Sequence, residues 1–252
     1  QFFLRAKQAA DMVDKPRGRD LHYAQLVRAF TEADEMDRAE ALLAEIETPE
    51  TQCLAYATLA EALLRADRQD EAKAVLGKAA AIPSRIGERT GRESACLVLA
   101  APLAKAGLDT LVSTVIGQIH RGDHRDMAWA MAATESARAS RLQLAKSQAD
   151  EIEQPAVRAR AYCSILRLLE ERDTDQKRRE ELLEAMREMS SHTRDATSMA
   201  EAQSYLASAQ AWAQKWRDAR STLANVDDQF LAVHVLMTIG AARLQAGHDG
   251  FA

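Results

Sequence analysis

The sequence predicts an all-α fold, a right-handed α-solenoid of about seven helix-turn-helix repeats. The chain includes only 10 Gly and 5 Pro, and Ala, Leu, Glu and Arg are plentiful, a composition that favours helix. Runs rich in Val, Ile, Thr and aromatic residues with period-two alternation, which indicate strands, are missing. Segments of similar sequence recur along the chain, as expected of stacked helical units.

Two segments of similar sequence illustrate the repeat in this chain. Residues 44–60 read AEIETPETQCLAYATLA, and residues 150–166, which start 106 positions later, read DEIEQPAVRARAYCSIL. The position of Ala57 recurs at 24, 57, 97, 130, 163, 204 and 237, so the spacings are 33, 40, 33, 33, 41 and 33. An internal duplication of three repeats is the simplest origin of this pattern.

These spacings divide the chain into consecutive units. We expect residues 1–252 to form a single solenoid domain, a fragment of a longer chain that opens inside the second helix of a preceding unit at 1–15. The repeats are predicted near 16–48, 49–82, 83–121, 122–154, 155–188, 189–227 and 228–252.

Each unit reads as two amphipathic helices, A and B. Leu59 and Leu63 have the spacing of one helical face in helix A. Asp37 suits the first turn of helix B. A left-handed residue is favoured after helix A, at Asp67, Gly107 and Gly247. New units are expected to start at Pro16, Pro49 and Pro155.

Two segments account for the longer spacings, 82–93 and 188–199. Each adds seven or eight residues, which either lengthen a helix or protrude as a loop. Gly87 and Gly91 favour a loop in the first segment. Ser190 and Ser191 suggest a helix start in the second.

The pattern resembles the tetratricopeptide repeat over nearly the whole chain. The residues that carry the resemblance are Tyr56, Leu59, Ala60, Leu63, Ala72, Leu76, Ala79 and Pro83, preceded by Tyr23, Leu26, Phe30, Ala39 and Leu43. The resemblance implies a right-handed array in which the A helices line a concave groove that holds a protein or peptide. The repeat period and the two insertions depart from the family pattern.

Charge and motifs exclude several classes of function. The net charge of −5 and the absence of a basic stripe argue against nucleic-acid binding. A membrane-spanning helix needs an apolar run of about 18 residues or more, and none exists, so we expect no membrane insertion within this chain. No nucleotide-binding, nucleophile-elbow or zinc-protease motif is present, and we expect no catalytic residue, cofactor or enzymatic activity.

The three cysteines and one pair of histidines could in principle be reactive or bind a metal, but both groups have simpler structural interpretations. Cys53, Cys96 and Cys163 form no CxxC pair, and each is expected to be a small buried apolar residue. His120 and His124 have the i, i+4 spacing of metal ligands, but Gly122 lies between them. We therefore expect a polar turn between units and no metal site.

The candidate partner-binding residues face the groove by register. They are Arg28, Glu61, Arg65, Thr134, Arg138, Arg160, Ser164, Arg167, Tyr205, Ser208 and Trp212. Arg138, Arg160 and Arg167 would form a positive strip for an acidic or carboxylate ligand, unless intramolecular salt bridges neutralise them. Trp212 and Trp216, four positions apart, serve either as an aromatic anchor for a partner or as core packing.

The sequence therefore predicts a non-enzymatic scaffold for protein–protein interaction. Two alternatives stay open: a self-assembling solenoid that forms a dimer or filament, and a regulatory or spacer arm of an enzyme outside this fragment. The sequence names no compartment. The cytoplasm is the default, and a membrane-anchored full-length protein is compatible with it.

Overall fold

The computed structural model describes residues 2–170 and 176–247, and within these ranges it contains fourteen α-helices and no strand. The all-α prediction is confirmed. The even-numbered helices are 16 or 17 residues long: α2 (Pro16–Glu32), α4 (Pro49–Arg65), α6 (Arg89–Lys105), α8 (Gly122–Arg138), α10 (Pro155–Glu170), α12 (Ala196–Trp212) and α14 (Gln229–Gln245). The odd-numbered helices are α1 (Phe2–Asp11), α3 (Met36–Ala44), α5 (Gln69–Ala80), α7 (Asp109–Ile116), α9 (Leu142–Asp150), α11 (Gln176–His192) and α13 (Trp216–Leu223).

Three even-numbered helices begin with a proline, as the sequence predicts. Pro16, Pro49 and Pro155 are the first residues of α2, α4 and α10. Proline suits this position because its φ is already helical and the first amide of a helix needs no partner within the helix.

Three others begin after an acidic residue that caps the helix. The Glu88 carboxylate accepts hydrogen bonds from the Thr90 and Gly91 amides at the start of α6. Asp195 and Asp228 accept from amides in the first turns of α12 and α14 in the same way. Each carboxylate satisfies amides that the first turn leaves free.

Six of the seven even-numbered helices, all except α10, are followed in the described residues by a residue in the left-handed conformation. The prediction of a left-handed residue is confirmed at the three predicted positions, and three further positions also have a left-handed residue. With φ between 57° and 76°, the six residues are Asp34, Asp67, Gly107, Ser140, Gln214 and Gly247. The next amide can then bond back into the helix, as in Arg68 N–H to Leu63 C=O at 2.9 Å, which satisfies a carbonyl that the last turn leaves free.

The two insertions have different structures. In the first, a 3₁₀ turn at Pro83–Arg85 and a short loop that includes Gly87 precede α6, so a loop is present as expected, whereas Gly91 lies in the first turn of α6. In the second, Ser190 and Ser191 lie in the last turns of α11, and the prediction of a helix start there is wrong. Their hydroxyls donate to the carbonyls of Met186 and Glu188, so they bond to the preceding turn instead of capping a new helix.

The chain divides into two compact units, residues 1–128 and 129–252. In the first unit, α2 contacts α4 and α4 contacts α6, and α3 and α5 pack against these helices. Fully buried leucines from both helix types form its core: Leu43, Leu59, Leu63, Leu76, Leu99 and Leu103.

In the second unit, α10 contacts α12 and α12 contacts α14. Its larger hydrophobic cluster includes Ile165, Leu166 and Leu183, and a smaller one joins α12, α13 and α14. Within the described ranges of the chain, no helix is both long and apolar enough to cross a bilayer.

Candidate functional site

The predicted partner-binding residues of the first unit lie at the surface. Arg28 and Glu61 each occupy the thirteenth position of their helix, and both are exposed. Arg65 is exposed at the end of α4. The Arg28 guanidinium donates to Glu32 one turn later, at 2.9 Å, so this arginine has a partner within its own helix. The helices that carry these residues, α2 and α4, contact each other.

In the second unit, Arg160 of α10 and Tyr205 of α12 come together. Burial raises the pKa of the Tyr205 hydroxyl, and the charge of the Arg160 guanidinium, with a hydrogen bond from it, opposes that increase. Arg160 is exposed and Tyr205 is half-buried. Arg167 is exposed two turns further along α10. The structure thus places an arginine and a tyrosine from neighbouring helices side by side at the surface.

Other predicted residues of the second unit have partners of their own. Arg138 is exposed and forms an ion pair with Glu135 on the same helix, so one arginine of the predicted positive strip has an intramolecular partner. The hydroxyls of Thr134 and Ser164 each donate to the backbone carbonyl four positions earlier. Both side chains are half-buried, and their hydroxyls are already satisfied within the helix.

Two of the predicted partner-binding residues, Ser208 and Trp212, pack inside the second unit to different degrees. Ser208 is only 4% exposed, so its prediction as a partner-binding residue is wrong. Its neighbours on α12, Ala207 and Ala209, are fully buried, because helices pack on several sides of α12. Trp212 is half-buried and packs against both hydrophobic clusters, and Trp216 packs against the smaller one. Core packing, one of the two alternatives for this pair, is therefore observed.

Buried carboxylates are the polar feature that sequence reasoning missed. Asp20, at the fifth position of α2, is fully buried and accepts hydrogen bonds from the Glu47 and Thr48 amides at 3.1 and 2.6 Å. These contacts hold the loop before α4 against α2. Asp126, at the same position of α8, is also fully buried. The recurrence of an acid at one helix position was visible in the sequence and is the signal that would have identified this group.

Glu93 occupies the same position of α6 and is 1% exposed. Its carboxylate accepts from the His120 amide at 3.0 Å and from Arg89 at 3.0 Å, and His124 Nδ1 lies 3.8 Å from its second oxygen. Burial alone would raise the pKa of Glu93, but hydrogen bonds from Arg89 and the amides of His120 and Arg121 outweigh burial and lower it. Glu93 therefore ties α6 to the segment before α8.

Of the segment 120–124, for which the sequence predicts a polar turn between units, only the first two residues precede α8, and the rest form the first turn of that helix. His120 and Arg121 precede α8, Gly122 begins it, and Arg121 pairs with Asp123 at 2.8 Å. Across residues 2–170 and 176–247, no group of three or more His, Cys, Asp and Glu side chains has a geometry that could hold a metal ion.

The three cysteines are free thiols with raised pKa values. Cys53 and Cys96 are buried as expected, whereas Cys163 is only partly buried. Removal from water is the main cause of each shift, and it raises the pKa of Cys53 to about 12, that of Cys96 to about 11 and that of Cys163 to about 12. Since the thiolate is the reactive form, these side chains are poor nucleophiles near neutral pH.

Two clefts flank α1. One, with a volume of about 420 Å³, has an apolar wall that includes Phe3, Phe30 and Leu42, and charged side chains at its rim. The other, of about 310 Å³, is lined by alanines of α1, by Val13 and by side chains of α2. The centroids of the Phe3 and Phe30 rings lie 4.6 Å apart, so this aromatic pair joins α1 to α2.

Comparisons with known proteins add little to this geometry. No family model matches the chain, and no curated protein sequence matches it. Among solved structures, the chain is similar to the crystal structure of Ton1535 from Thermococcus onnurineus NA1, at 15% sequence identity and a TM-score of 0.37. The alignment covers 94% of this chain and 83% of that one. This TM-score is too low for the likeness to support a fold or a function.

Proposed function

We propose that the chain is a tetratricopeptide-like α-solenoid that serves as a non-enzymatic scaffold and binds a protein or peptide on the exposed face of its even-numbered helices. The helix boundaries support the architecture. Even-numbered helices begin at positions 16, 49, 89, 122, 155, 196 and 229, so the intervals between successive starts are 33, 40, 33, 33, 41 and 33. These intervals equal those of the sequence pattern, and stacked repeats require such a match.

The observation that carries the binding function is the meeting of Arg160 and Tyr205. Their helices are consecutive even-numbered helices in contact with each other, so a ligand lying across both would touch the two side chains at once. Arginine and tyrosine are among the residue types that most often dominate protein interfaces, because each offers a large contact area with hydrogen-bonding groups.

The charge at this face indicates the chemistry of the partner. Arg160 and Arg167 are both exposed on α10, and Arg138 is exposed at the end of α8. Guanidinium groups bind carboxylates with paired hydrogen bonds. We therefore propose a partner segment that carries acidic side chains or a free C-terminal carboxylate, with Arg160 and Tyr205 as its principal contacts.

The test is affinity capture of partners by the chain, followed by mass spectrometry, with an Arg138→Glu/Arg160→Glu/Arg167→Glu variant alongside. A charge-matched control makes the same charge change at exposed arginines of the same unit that lie off the even-numbered helices: Arg194→Glu/Arg217→Glu/Arg220→Glu. We expect a partner that binds the wild type and the control and is lost from the first variant.

Binding of the captured partner, once purified, is then measured by titration against Tyr205→Phe, which removes only the hydroxyl. We expect weaker binding to Tyr205→Phe and a marked loss with rising salt concentration. Equal loss of the partner from both triple variants would assign its binding to overall charge and would overturn the proposed site.

A further inference from the structure

One of the two clefts beside α1 has the dimensions of a small-molecule site. It lies between α1, α2 and α3, and its volume of about 420 Å³ falls in the range of roughly 300–1,000 Å³ that such sites occupy. Phe3, Phe30 and Leu42 form its apolar wall, and the small, exposed side chain of Ala41 also lines it. We name it the α1–α3 cleft.

The equivalent place in the second unit is nearly closed. Between α9, α10 and α11 the cleft has a volume of only about 20 Å³. The lining residues that lie 139 or 140 positions after those of the α1–α3 cleft are Leu142, Lys146, Leu169, Arg178, Glu181 and Leu182. The two clefts share the lysine, the arginine and the last leucine, and they differ at the positions of Phe3, Phe30 and Ala41. Only the change from alanine to glutamate adds side-chain volume, so Ala41 is the residue that leaves the first cleft open.

The same comparison shows which helices determine whether a cleft at this place is open. Of the described residues that line the closed cleft, none belongs to α8, the helix before α9. Three helices therefore enclose a cleft of this kind, and the first unit has all three of them in α1, α2 and α3. The opening of the α1–α3 cleft follows from the side chains of those helices and does not depend on residues before α1.

The wall of the α1–α3 cleft favours an aromatic ligand. The ring centroids of Phe3 and Phe30 lie 4.6 Å apart, and their planes are inclined by 39°. Aromatic rings attract one another in tilted and offset arrangements, beyond the gain from burial, so a third ring can pack against this pair. The second unit has leucines at both positions, Leu142 and Leu169, so the aromatic wall is confined to the cleft that is open.

The charges at the rim favour a ligand without a charge of its own. The Lys7 ammonium lies 2.9 Å from the Glu45 carboxylate and 3.3 Å from that of Asp11, and the Arg38 guanidinium lies 2.6 Å from Glu35. Each rim cation thus has a carboxylate partner already. A charged ligand would have to break one of these ion pairs or place its charge unpaired against the apolar wall, and both are costly.

We propose that the α1–α3 cleft binds a small, uncharged aromatic molecule whose ring packs against Phe3 and Phe30. Ala41 admits the ligand, and Leu42, which is buried, provides part of the apolar surface beneath it. The proposal is independent of the partner site at Arg160 and Tyr205, because those residues belong to the other unit.

The first experiment is calorimetric titration of the chain with 2-naphthalenemethanol, an uncharged aromatic probe. We expect the wild type to bind it with a Kd on the order of 100 μM, as suits a ligand of this size. Ala41→Gln introduces a side chain as large as Glu181 and should raise the Kd at least about tenfold, because it fills the opening. The matched control is Ala44→Gln, at an exposed alanine of the same helix outside the cleft, and its Kd should equal that of the wild type.

Both alanines are exposed, so neither substitution disturbs the core, and equal melting temperatures would verify this. A wild type that does not bind the probe, or an Ala41→Gln variant with unchanged Kd, would overturn the proposed site.

The second experiment tests the class of ligand with probes of matched shape. At pH 7, 2-naphthoate and 2-naphthylmethylammonium carry one charge each on the same ring system, and each should bind at least about tenfold more weakly than the alcohol. Phe3→Leu, which copies Leu142 of the closed cleft, should weaken binding of 2-naphthalenemethanol more than binding of its saturated decahydro counterpart. Equal binding of either charged probe would overturn the uncharged class, and equal losses from Phe3→Leu for the two alcohols would overturn the aromatic one.

Discussion

The two compact units differ in the side chains that their even-numbered helices carry near the start. At the fifth helix position, the first unit has buried carboxylates in three of its four such helices, at Asp20, Glu93 and Asp126, with Cys53 as the exception. A loop in the first unit is therefore tied by charge-assisted hydrogen bonds, as at Asp20.

The second unit has apolar residues at that position, namely Ala159, Ala200 and Val233. Of these, Ala159 is buried and Val233 is exposed, and the carboxylates at the starts of α12 and α14 are instead the exposed caps Asp195 and Asp228. The difference teaches that helices of nearly equal length, at recurring intervals in the chain, can begin with or without a buried carboxylate at the fifth position.

One polar feature is nevertheless shared. Tyr23 donates a hydrogen bond to Asp11 from the preceding helix of the first unit, and Tyr162 donates to Asp150 in the same relation in the second unit. A lysine four positions before each aspartate forms an ion pair with it. The surroundings differ, since the hydrogen bond to Asp11 is the main cause of the raised pKa of Tyr23, whereas burial is the main cause for Tyr162.

The largest expected effects are those of core truncation, which test whether each unit depends on its own core. Leu59→Ala in the first unit and Leu166→Ala in the second should each reduce the free energy of unfolding by about 2–5 kcal/mol, because both leucines are fully buried. Urea unfolding measures the loss. Hydrogen exchange should show weakened protection mainly in the unit that carries the change.

Glu61→Ala is the surface control for these two variants. Glu61 is exposed shortly after Leu59 on the same helix, and its replacement should change stability by less than about 0.5 kcal/mol. Equal losses for Leu59→Ala and Glu61→Ala would contradict the assignment of inner and outer faces. Loss of protection across both units from either leucine variant would contradict their description as separate cores.

A moderate effect is expected from Glu93→Gln, which keeps the size of the side chain and removes its charge. The melting temperature should fall, and the amides of His120 and Arg121 should exchange faster, because the carboxylate accepts hydrogen bonds from both. Hydrogen-exchange mass spectrometry over 117–122 measures this directly. Glu61→Gln, at an exposed glutamate of the same unit, should leave those amides unchanged.

The sign of the pH dependence follows from the lowered pKa of Glu93. The folded state holds this proton less tightly than the unfolded state, whose glutamates have a pKa of about 4.3. The stabilisation is therefore fully present above that pH and disappears as the pH falls through the lower folded pKa. The difference in melting temperature between wild type and Glu93→Gln should shrink in the same direction, and a difference that grows in acid would refute this role.

The smallest expected effects on stability come from removing the hydroxyl of Tyr23 in the first unit or of Tyr162 in the second. Tyr162→Phe should cost about 0.5–1.5 kcal/mol, because it removes a hydrogen bond in a buried setting. Tyr23→Phe should cost less, because burial is the main cause of the raised pKa at Tyr162 and only the second cause at Tyr23. Urea unfolding measures both.

Tyr56→Phe is the control for the tyrosine pair. Tyr56 occupies the same position of α4, and its hydroxyl has no hydrogen bond to any residue that the structure describes. The substitution should have little effect on stability. A larger loss from Tyr23→Phe than from Tyr162→Phe would reverse the order that the causes of their pKa shifts predict.

The helices and their turns were predictable because their signals are local. Prolines that begin α2, α4 and α10, and left-handed residues at Asp67 and Gly107, act within one or two turns of backbone. The surface residues were less predictable. Arg28 and Glu61 were assigned to the surface correctly, whereas Ser208, at the same helix position, is buried. The position on a helix determines the direction of a side chain, but the neighbouring helices determine what meets it.

The sequence by itself determined the helical composition, the intervals between helices and the residues that end them, because hydrophobic spacing and turn conformation depend on near neighbours in the chain. Only the tertiary structure decided which carboxylates are buried and which arginines have partners. Those outcomes depend on contacts between residues such as Glu93 and His120, 27 positions apart, and on the burial that such contacts create. Burial sets the energy of each charge and each exposed apolar side chain, and it exists only once the helices have packed.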